Sequence, residues 1–532
     1  MSKQDLASLA LKRRSVIQAA GGVTGAVLAQ VLWPSAATAQ SMTATKPSGV
    51  RRGGKFVYAN VYPNNRMGDA HTGRHPYYML DLNTRSVYNG LVYVDDNLTV
   101  QPELATDWTA SDDQKVWTIQ LRPGVKFHDG KLMGADDVVA SFEFHKAQTS
   151  YAKQIDKVEK TGPLQVRMHL SQANSEFPFT LGEYQLMVMP AAPLERIGLS
   201  GIGTGPYQIV NLDPKRRMLT ERNPHYWREG LPYFDQLEVV SLPGRMEAAL
   251  NGFRSHMYDA VLGVDPGMLP DLERLSGVRV DYSRSGDQAL MVLPKHEGSV
   301  FNDKRIRKAL ALSIDRDKVM QVVYGQSMGW AGNESHLAPS NAEFIAPLQR
   351  DVIKAKQLLA QAGYPNGIKL PTFYFTASWP EIPRVFQVIA QSVKEAGITL
   401  PIEQRPSDGY RDWRVGDKRA TGTAKHKFAY GPSGVRNPAV SLFRMRPDNN
   451  ESGYWSGPAC EEYMALYDKA IAEKAIGKRR AMYTRMQQIL QEEVPAIHPV
   501  GRRNLLIAKT HVQGLKNHSQ AWSVRFDEVW KA

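Results

Sequence analysis

Ten cations crowd into the 43 residues Gln404–Arg446: Arg405, Arg411, Arg414, Lys418, Arg419, Lys425, Lys427, Arg436, Arg444 and Arg446. Only Asp408, Asp412 and Asp417 oppose them, so the segment carries +7, and Tyr410, Trp413, Phe428 and Tyr430 are interleaved with the charges. A guanidinium presents a planar fork of donors that matches carboxylate or phosphate, and an aromatic ring offers it a face to stack on. The chemistry on offer is non-covalent capture of a small anionic or highly polar molecule. A solvated basic loop has the same composition, so residue types alone leave both readings open.

Two further places could touch a ligand. Tyr62–Pro76 holds Arg66, His71, Arg74 and His75. His71 and His75 stand at a spacing that would face one metal on a helix, but Gly73 and Pro76 argue against a helix there. A polar loop making one or two ligand contacts is expected instead, with no metal and no other cofactor. Trp379 follows the strand-like Leu370–Phe375, a strand-end position of the kind where α/β clefts bind ligands; simple surface packing is its alternative. Catalysis is poorly provided for. There is no nucleophile elbow and no zinc-helix motif, and the lone Cys460 has no evident histidine partner. His128-Asp129 falls in a tight turn, and Gly203-x-Gly205 leads through Pro206 into a strand rather than a helix N-terminus, which removes the geometry of a phosphate cradle. No enzyme is expected.

The elements that must position these groups follow from periodicity. Trp117, Ile119 and Leu121 alternate with polar residues like a half-buried strand, and Val125 and Phe127 alternate again into the turn pair Asp129-Gly130. Asp136 and Asp137 favour a helix start ahead of Val138, Val139 and Phe142. Lys55–Tyr62, Gln165–Leu170 and Ile398–Glu403 read as strands. Phe301–Gly325, Val352–Gly363, Glu381–Gly397, Tyr463–Ala475 and Lys478–Glu493 read as amphipathic helices, three of them ending on glycine. In the first, Ile306, Leu310, Ile314, Val319 and Val322 share one face.

The front of the chain reads as an export signal. Arg13-Arg14 precedes the weakly apolar run Ala19–Leu32, and Ala37-Thr38-Ala39 supplies a small-x-small cleavage site, so a twin-arginine signal over 1–39 is expected, cut after Ala39. The apolar run falls short of the ~20 residues of a membrane span. Of the formal +13, the signal carries +3. The remaining chain, nearly 500 residues long, is too long for one core and predicts two or more domains. It has no nucleic-acid motif and no polybasic run, so nucleic acid is not an expected partner.

The motif LAxDW…W-x-I-x-L-R-x-G-V-K-F-H-D-G…A-D-D-V-x-x-S-F within Pro102–Phe142 closely resembles the dipeptide and oligopeptide solute-binding proteins of bacterial ABC importers, extracellular solute-binding protein family 5. The blocks Gly201–Val240 and Phe301–Gly325 and the later helices resemble the family in the same order, with a gap at roughly 404–450. The resemblance implies an α/β, two-lobed periplasmic binding protein fold with an extra β-rich subdomain in the first lobe and a ligand cleft between the lobes. By block order, lobe I takes 45–90, 200–290 and 495–532, the subdomain 90–200 and lobe II 290–495. It also implies hinge closure on a small molecule, a monomer free in the periplasm, and partnership with the importer's transmembrane permease subunits.

Peptide-binding members carry a Trp-x-x-Asp-x-x-x-Pro pattern whose aspartate pairs with the peptide α-amino group. Taking Pro438 as the shared proline puts Gly434 at the aspartate position and Arg436 two residues on. A peptide ammonium buried there would lack its partner, which is costly. The resemblance therefore points to a polycarboxylate, a metal–chelate complex or an acidic sugar or opine-like conjugate, with di- or oligopeptide as the alternative. Arg436 is the first candidate contact, then Arg411 and Arg414, with Trp413 or Tyr430 as stacking surface. The loop Glu451–Pro458 matches a family loop near the cleft and adds Tyr454 and Trp455.

Overall fold

In Val116–Leu121 the side chains of Trp117, Ile119 and Leu121 are buried and the intervening ones are not. The computed structural model describes residues 49–61, 84–198, 200–213, 216–325, 327–407, 410–415, 427–447 and 455–532. It places this strand in a four-stranded antiparallel sheet, ordered Ala105–Ala110, Val116–Leu121, Gln165–Leu170, Ile155–Gly162. The helix Ala135–Gln148 covers the sheet through Val138 and Phe142. It starts where the acidic pair predicts: Asp137 accepts from the Gly134 N–H at 2.8 Å, a donor that the helix start leaves open, and also from the Ala191 N–H of a distant loop at 2.7 Å. Gly130 adopts φ +84° in the expected turn. Val125–Phe127 contributes only the isolated bridge Lys126↔Leu132 rather than a strand.

Gly203-x-Gly205 is a packing device. A Cβ on Gly205 would lie 2.4 Å from the Val87 carbonyl carbon, and one on Gly203 would lie 2.1 Å from the Val87 oxygen. Backbone passes backbone here, and no side chain fits. Gly205→Ala should therefore cost about 3 kcal/mol, seen as a lower urea midpoint at unchanged m-value; an unmoved midpoint would show that the approach can relax.

Two larger sheets carry the rest. The first is ordered Val278–Tyr282, Leu505–Lys509, Ala260–Leu262, Lys55–Asn60, Gln236–Ser241, Arg217–Arg222, Tyr207–Asp213. The second runs Gly329–Ala331, Val500–Arg502, Asp287–Val292, Ala429–Gly434, Phe373–Phe375, Ile402–Gln404, with Ala496–Ile497 also paired to Asp287–Val292. The helices Lys304–Ser313, Arg316–Val323, Val352–Gln361 and Ile382–Ser392 pack in one core with Met291, Phe373 and Phe375, whereas Pro458–Ala472 and Ile476–Glu493 bury Leu290 and Val292 in another.

Prolines and caps account for the departures from the expected elements. The single helix expected over Phe301–Gly325 is two. Ile314 is extended at the break, Asp315 caps the second helix by accepting from the Lys318 N–H at 2.9 Å, and Val322 turns outward, 57% exposed. Of the expected strand over 370–375 only Phe373–Phe375 forms, and the one over 398–403 splits in two, because Pro371 and Pro401 cannot donate to a ladder. Ile368–Lys369 pairs with Ile398–Thr399, and Phe373–Phe375 with Ile402–Gln404.

The chain passes between the large sheets twice, from Tyr282 to Asp287 and from Arg502 to Leu505. The crossings lie side by side: the Ser283 N–H donates to Asn504 O at 3.1 Å, and the Asn504 N–H donates to Ser283 Oγ at 2.8 Å. The switches thus fall at 283–286 and 503–504; the stretch 496–502, expected in the first lobe, still pairs in the second sheet.

Candidate functional site

Strand direction decides where a ligand can sit. In the first sheet Lys55–Asn60 runs parallel to Gln236–Ser241 and Ala260–Leu262, so Asn60, Ser241 and Leu262 end on one edge. Leu262 pairs with Leu506 and Tyr282 with Leu505, which brings both crossings to that edge. In the second sheet Phe373–Phe375 runs parallel to Ile402–Gln404 and Ala429–Gly434, Asp287 stands opposite Gly434, and Arg502 stands opposite Gly329. The crossings therefore join carboxyl edge to carboxyl edge, and open α/β sheets bind ligands outside their carboxyl ends. The residues that follow these ends are Val61, Leu242 and Asp265 on one side, and Thr376–Glu381, Arg405 and Arg436 on the other.

Charged groups meet along this gap. Arg384 Nη2 donates to Asp265 Oδ1 at 2.6 Å, tying the helix Ile382–Ser392 to the loop beyond Ala260–Leu262. Arg502 is fully buried, with its guanidinium 5.2 Å from the centre of the Trp379 ring and its Nε 3.3 Å from the Glu381 carboxylate. Burial pushes the Glu381 carboxyl up, and Arg502 opposes that shift. Arg436 Nε donates to Glu183 Oε1 at 2.9 Å and its Nη1 to Gly434 O at 2.9 Å, with the Tyr151 ring 5.7 Å away. Glu183 follows the short helix Phe177–Leu181, so Arg436 joins the β-rich part to the second sheet. Close by, Arg444 Nη1 donates to Ser433 Oγ at 2.9 Å, and Ser433 Oγ also meets His336 Nδ1.

The residues singled out from sequence divide into groups. Arg436 and Trp379 follow strand ends on the carboxyl edge, but both are buried, and Trp379, 2% exposed, packs in the core against Tyr430. Trp413, Arg414 and Arg411 belong to the helix Tyr410–Val415. Trp413 carries the Arg405 guanidinium 4.3 Å from its ring centre and meets Tyr374 edge-on at 5.0 Å. Arg414 is buried, its Nη1 3.2 Å from where a Gly431 Cβ would stand. Tyr430, expected as a stacking surface, is a core residue: it is fully buried, shares a 2.6 Å hydrogen bond with Ser378 and packs edge-on to Trp379 and Phe386. Trp455, expected at the cleft, instead packs edge-on against Tyr463 and donates Nε1 to Met445 O at 2.9 Å. Arg66, His71, Arg74 and Tyr454 lie outside the described residues.

Sequence reasoning missed Asp265, Glu381, Arg384, Arg502 and Glu183. Glu381 and Arg384 fall in a run that reads as an ordinary amphipathic helix, and Asp265, Arg502 and Glu183 lie in no motif. Only the shared carboxyl edge singles them out.

Residues 99–432 match the model of the bacterial extracellular solute-binding proteins, family 5. The chain belongs to that family. Its relatives include the glutathione-binding protein GsiB of Escherichia coli K12, 24% identical over 434 residues that cover 78% of this chain and 83% of GsiB. Among solved structures, the periplasmic binding protein DppA of Helicobacter pylori, in complex with the peptide STSA, is similar with TM-score 0.74 and 23% identity, covering 90% of this chain and 98% of DppA. AgaA of A. tumefaciens R10, in complex with agropinic acid, gives TM-score 0.74 and 19% identity over 90% of this chain and 99% of AgaA. The fold of this family 5 protein is therefore that of a two-lobed periplasmic binding protein, and its relatives bind solutes for transport. Among its described residues no helix is long and apolar enough to cross a membrane.

Proposed function

We propose that this solute-binding protein is exported to the periplasm on a twin-arginine signal. There, as a monomer, it closes on a small anionic or highly polar ligand and delivers it to the permease subunits of an ABC importer. The lobes divide at the crossings 283–286 and 503–504, and closure turns on them. The observation that carries the ligand class is the series of guanidiniums along the carboxyl edge of the second sheet, Arg405, Arg436 and Arg502, beside a glycine at the position where peptide binders of the family hold aspartate. Two of the relatives' named ligands share this chemistry, since glutathione has two carboxylates and agropinic acid is an acid, whereas the peptide STSA on DppA favours the peptide alternative. Arg411, Arg414 and Trp413 stand behind this edge, and Arg66, His71, Arg74 and Tyr454 complete the proposed contact set; Tyr430 and Trp455 support it from the core.

Native mass spectrometry of protein from its host weighs any co-purified ligand, and calorimetry with citrate, gluconate and ferric citrate against trialanine ranks the classes. The expected result is binding of at least one acid and none of trialanine. Arg436→Ala should weaken that acid about 10- to 100-fold, the loss of a charged hydrogen bond. Undiminished affinity in a folded Arg436→Ala variant removes Arg436 from the site.

One observation favours a second reading. Asp287 stands opposite Gly434, and opposed residues of an antiparallel pair project from the same face about 5 Å apart. A carboxylate supplied from the neighbouring strand would restore an ammonium site for peptides. Micromolar binding of trialanine, abolished by Asp287→Asn, would replace the anionic reading with this one.

A further inference from the structure

The β-rich part belongs to the first sheet at both ends: the chain leaves that sheet after Lys55–Asn60 and returns to it at Tyr207–Asp213. It is fixed there by the Val87 backbone against Gly203 and Gly205, and by Asn89 Oδ1, which accepts from Trp227 Nε1 at 3.0 Å and Thr204 Oγ1 at 3.1 Å. A turn about the crossings 283–286 and 503–504 therefore carries it past the second sheet and past Pro458–Ala472 and Ile476–Glu493, the helices packed on Leu290 and Val292.

Ser175 and Glu176 of the β-rich part are docked on those two helices. The Ser175 N–H donates to Ile471 O at 2.6 Å, and its Oγ donates to Glu473 O at 3.0 Å. Arg479 Nη1 donates to Ser175 Oγ at 3.1 Å and to Glu473 O at 2.8 Å. Tyr483 Oη donates to Glu176 Oε2 at 2.5 Å, and Arg479 Nε stands 3.6 Å from Glu176 Oε1. Ser175, Glu176, Arg479 and Tyr483 are all buried. These contacts are hydrogen bonds and an ion pair, and water takes their place when they part, which offsets most of what they contribute. Polar interfaces of this kind separate and re-form. The Asp265–Arg384 pair spans the same gap, but the Arg384 side chain is 43% exposed against 9% for Arg479, and exposed pairs contribute little.

We infer that Ser175 and Glu176 form a clasp that engages these helices when the lobes close and sets how much of the ligand-free protein is closed. This rests on the closure reading above and goes beyond it. The clasp contains none of the proposed ligand contacts, so it shifts the open–closed balance whatever solute is carried.

Double electron–electron resonance on ligand-free mature protein tests the clasp, with spin labels at Lys126→Cys and Lys469→Cys. Both positions are exposed, one in each part, and the native Cys460 is buried. With the clasp intact, a short-distance population is expected. Tyr483→Phe keeps the ring but strands the Glu176 oxygen, and should lower the ratio of short to long distances about tenfold. Glu176→Lys, which sets a cation against Arg479, should lower it further. A ratio that neither substitution moves overturns the clasp, as does a single long distance in every protein. Two populations indifferent to both substitutions leave closure standing without the clasp. A single distance that also stays fixed in citrate, gluconate, ferric citrate and trialanine overturns closure with it. Tyr483→Phe decides alone should Glu176→Lys not fold.

Discussion

Replacing Asp527 by alanine should destabilise the protein by about 3–5 kcal/mol, the expected cost of leaving buried charges without their partner. Asp527 is 2% exposed and accepts from Tyr226 Oη at 2.9 Å, from Arg525 Nε at 3.2 Å and from Arg228 Nη1. Burial alone would raise its pKa, but Arg525 and Arg228 outweigh burial and hold it well below the ordinary carboxylate range. The site joins three parts of the chain, since Arg525 also lies 4.0 Å from Glu103 and carries the Tyr93 ring at 4.8 Å, while Arg228 comes from the turn after Arg217–Arg222. Without Asp527, Glu103 and Glu528 remain for two part-buried guanidiniums, which sets the loss toward the lower end of that range. A urea titration of Asp527→Ala against wild type reads the effect, and a midpoint within error of wild type would contradict it. The wild-type pH dependence has a definite sign. The folded pKa is depressed, so the contribution of Asp527 is complete above the unfolded value of about 3.9 and is lost as pH falls below it.

Acid should weaken the fold earlier than carboxylate chemistry alone would require, beginning near pH 6.5. Three imidazoles are buried in the neutral form. Burial, reinforced by Arg444, lowers His498 to about 3; burial and then the neighbouring His498 and Arg444 push His336 well down; burial lowers His518 to about 4, against the pull of Asp96. His336 and His498 meet edge-on at 4.4 Å, so a proton on either is opposed by the other's surroundings. In the unfolded chain each titrates near 6.5. Between that value and the folded ones the unfolded state binds more protons, so stability falls as pH falls, by up to about 1.4 kcal/mol per pH unit for each group. Glu176, Glu334 and Glu381, raised by burial, work in the opposite sense and regain stability as they protonate. Urea midpoints at pH 7.5, 6.5 and 5.5 should therefore decline below pH 6.5, and His498→Gln should flatten the slope by one histidine's share. A level profile across that range in the wild type would refute the neutral-imidazole account.

The neutral histidine pair also bears on the site. Ser433, which His336 contacts, receives Arg444, and Arg444 follows the helix Pro438–Phe443 that begins beyond Arg436. A protonated imidazole there would stand against Arg444. Neutrality of the pair keeps that arginine directed at Ser433 near the carboxyl edge.

Much of the fold was legible before any coordinates. Gln165–Leu170 matches its strand end to end, the strand begun at Lys55 ends at Asn60, and the helices of the second half fall within a few residues of their expected limits. These are runs whose apolar spacing reports a buried face directly. The misses have local causes. Phe301–Gly325 keeps helical spacing across Ile314 and Asp315, yet the aspartate caps a new helix, and composition cannot show which competing bond an aspartate makes. Pro371 and Pro401 stood in view, but their effect, a split ladder, depends on which strand each segment meets.

The candidate site was only half legible, and the same contrast explains it. Arg436 and Trp379 were recognisable because a family pattern or a strand end marks them in one stretch of chain. Glu381 and Arg502, Asp265 and Arg384, Arg436 and Glu183 are pairs whose members lie far apart in sequence, the last two by 119 and 253 residues. Tyr430 and Trp455 looked like exposed stacking rings and proved to be core, because an aromatic residue among charges has the same local signature on either side of a sheet. Local periodicity and contiguous motifs sufficed for the scaffold, the solute-binding family and the surplus of arginine. The tertiary structure alone decided which charges face one another, because that depends on strand direction and register across two sheets joined at their carboxyl edges.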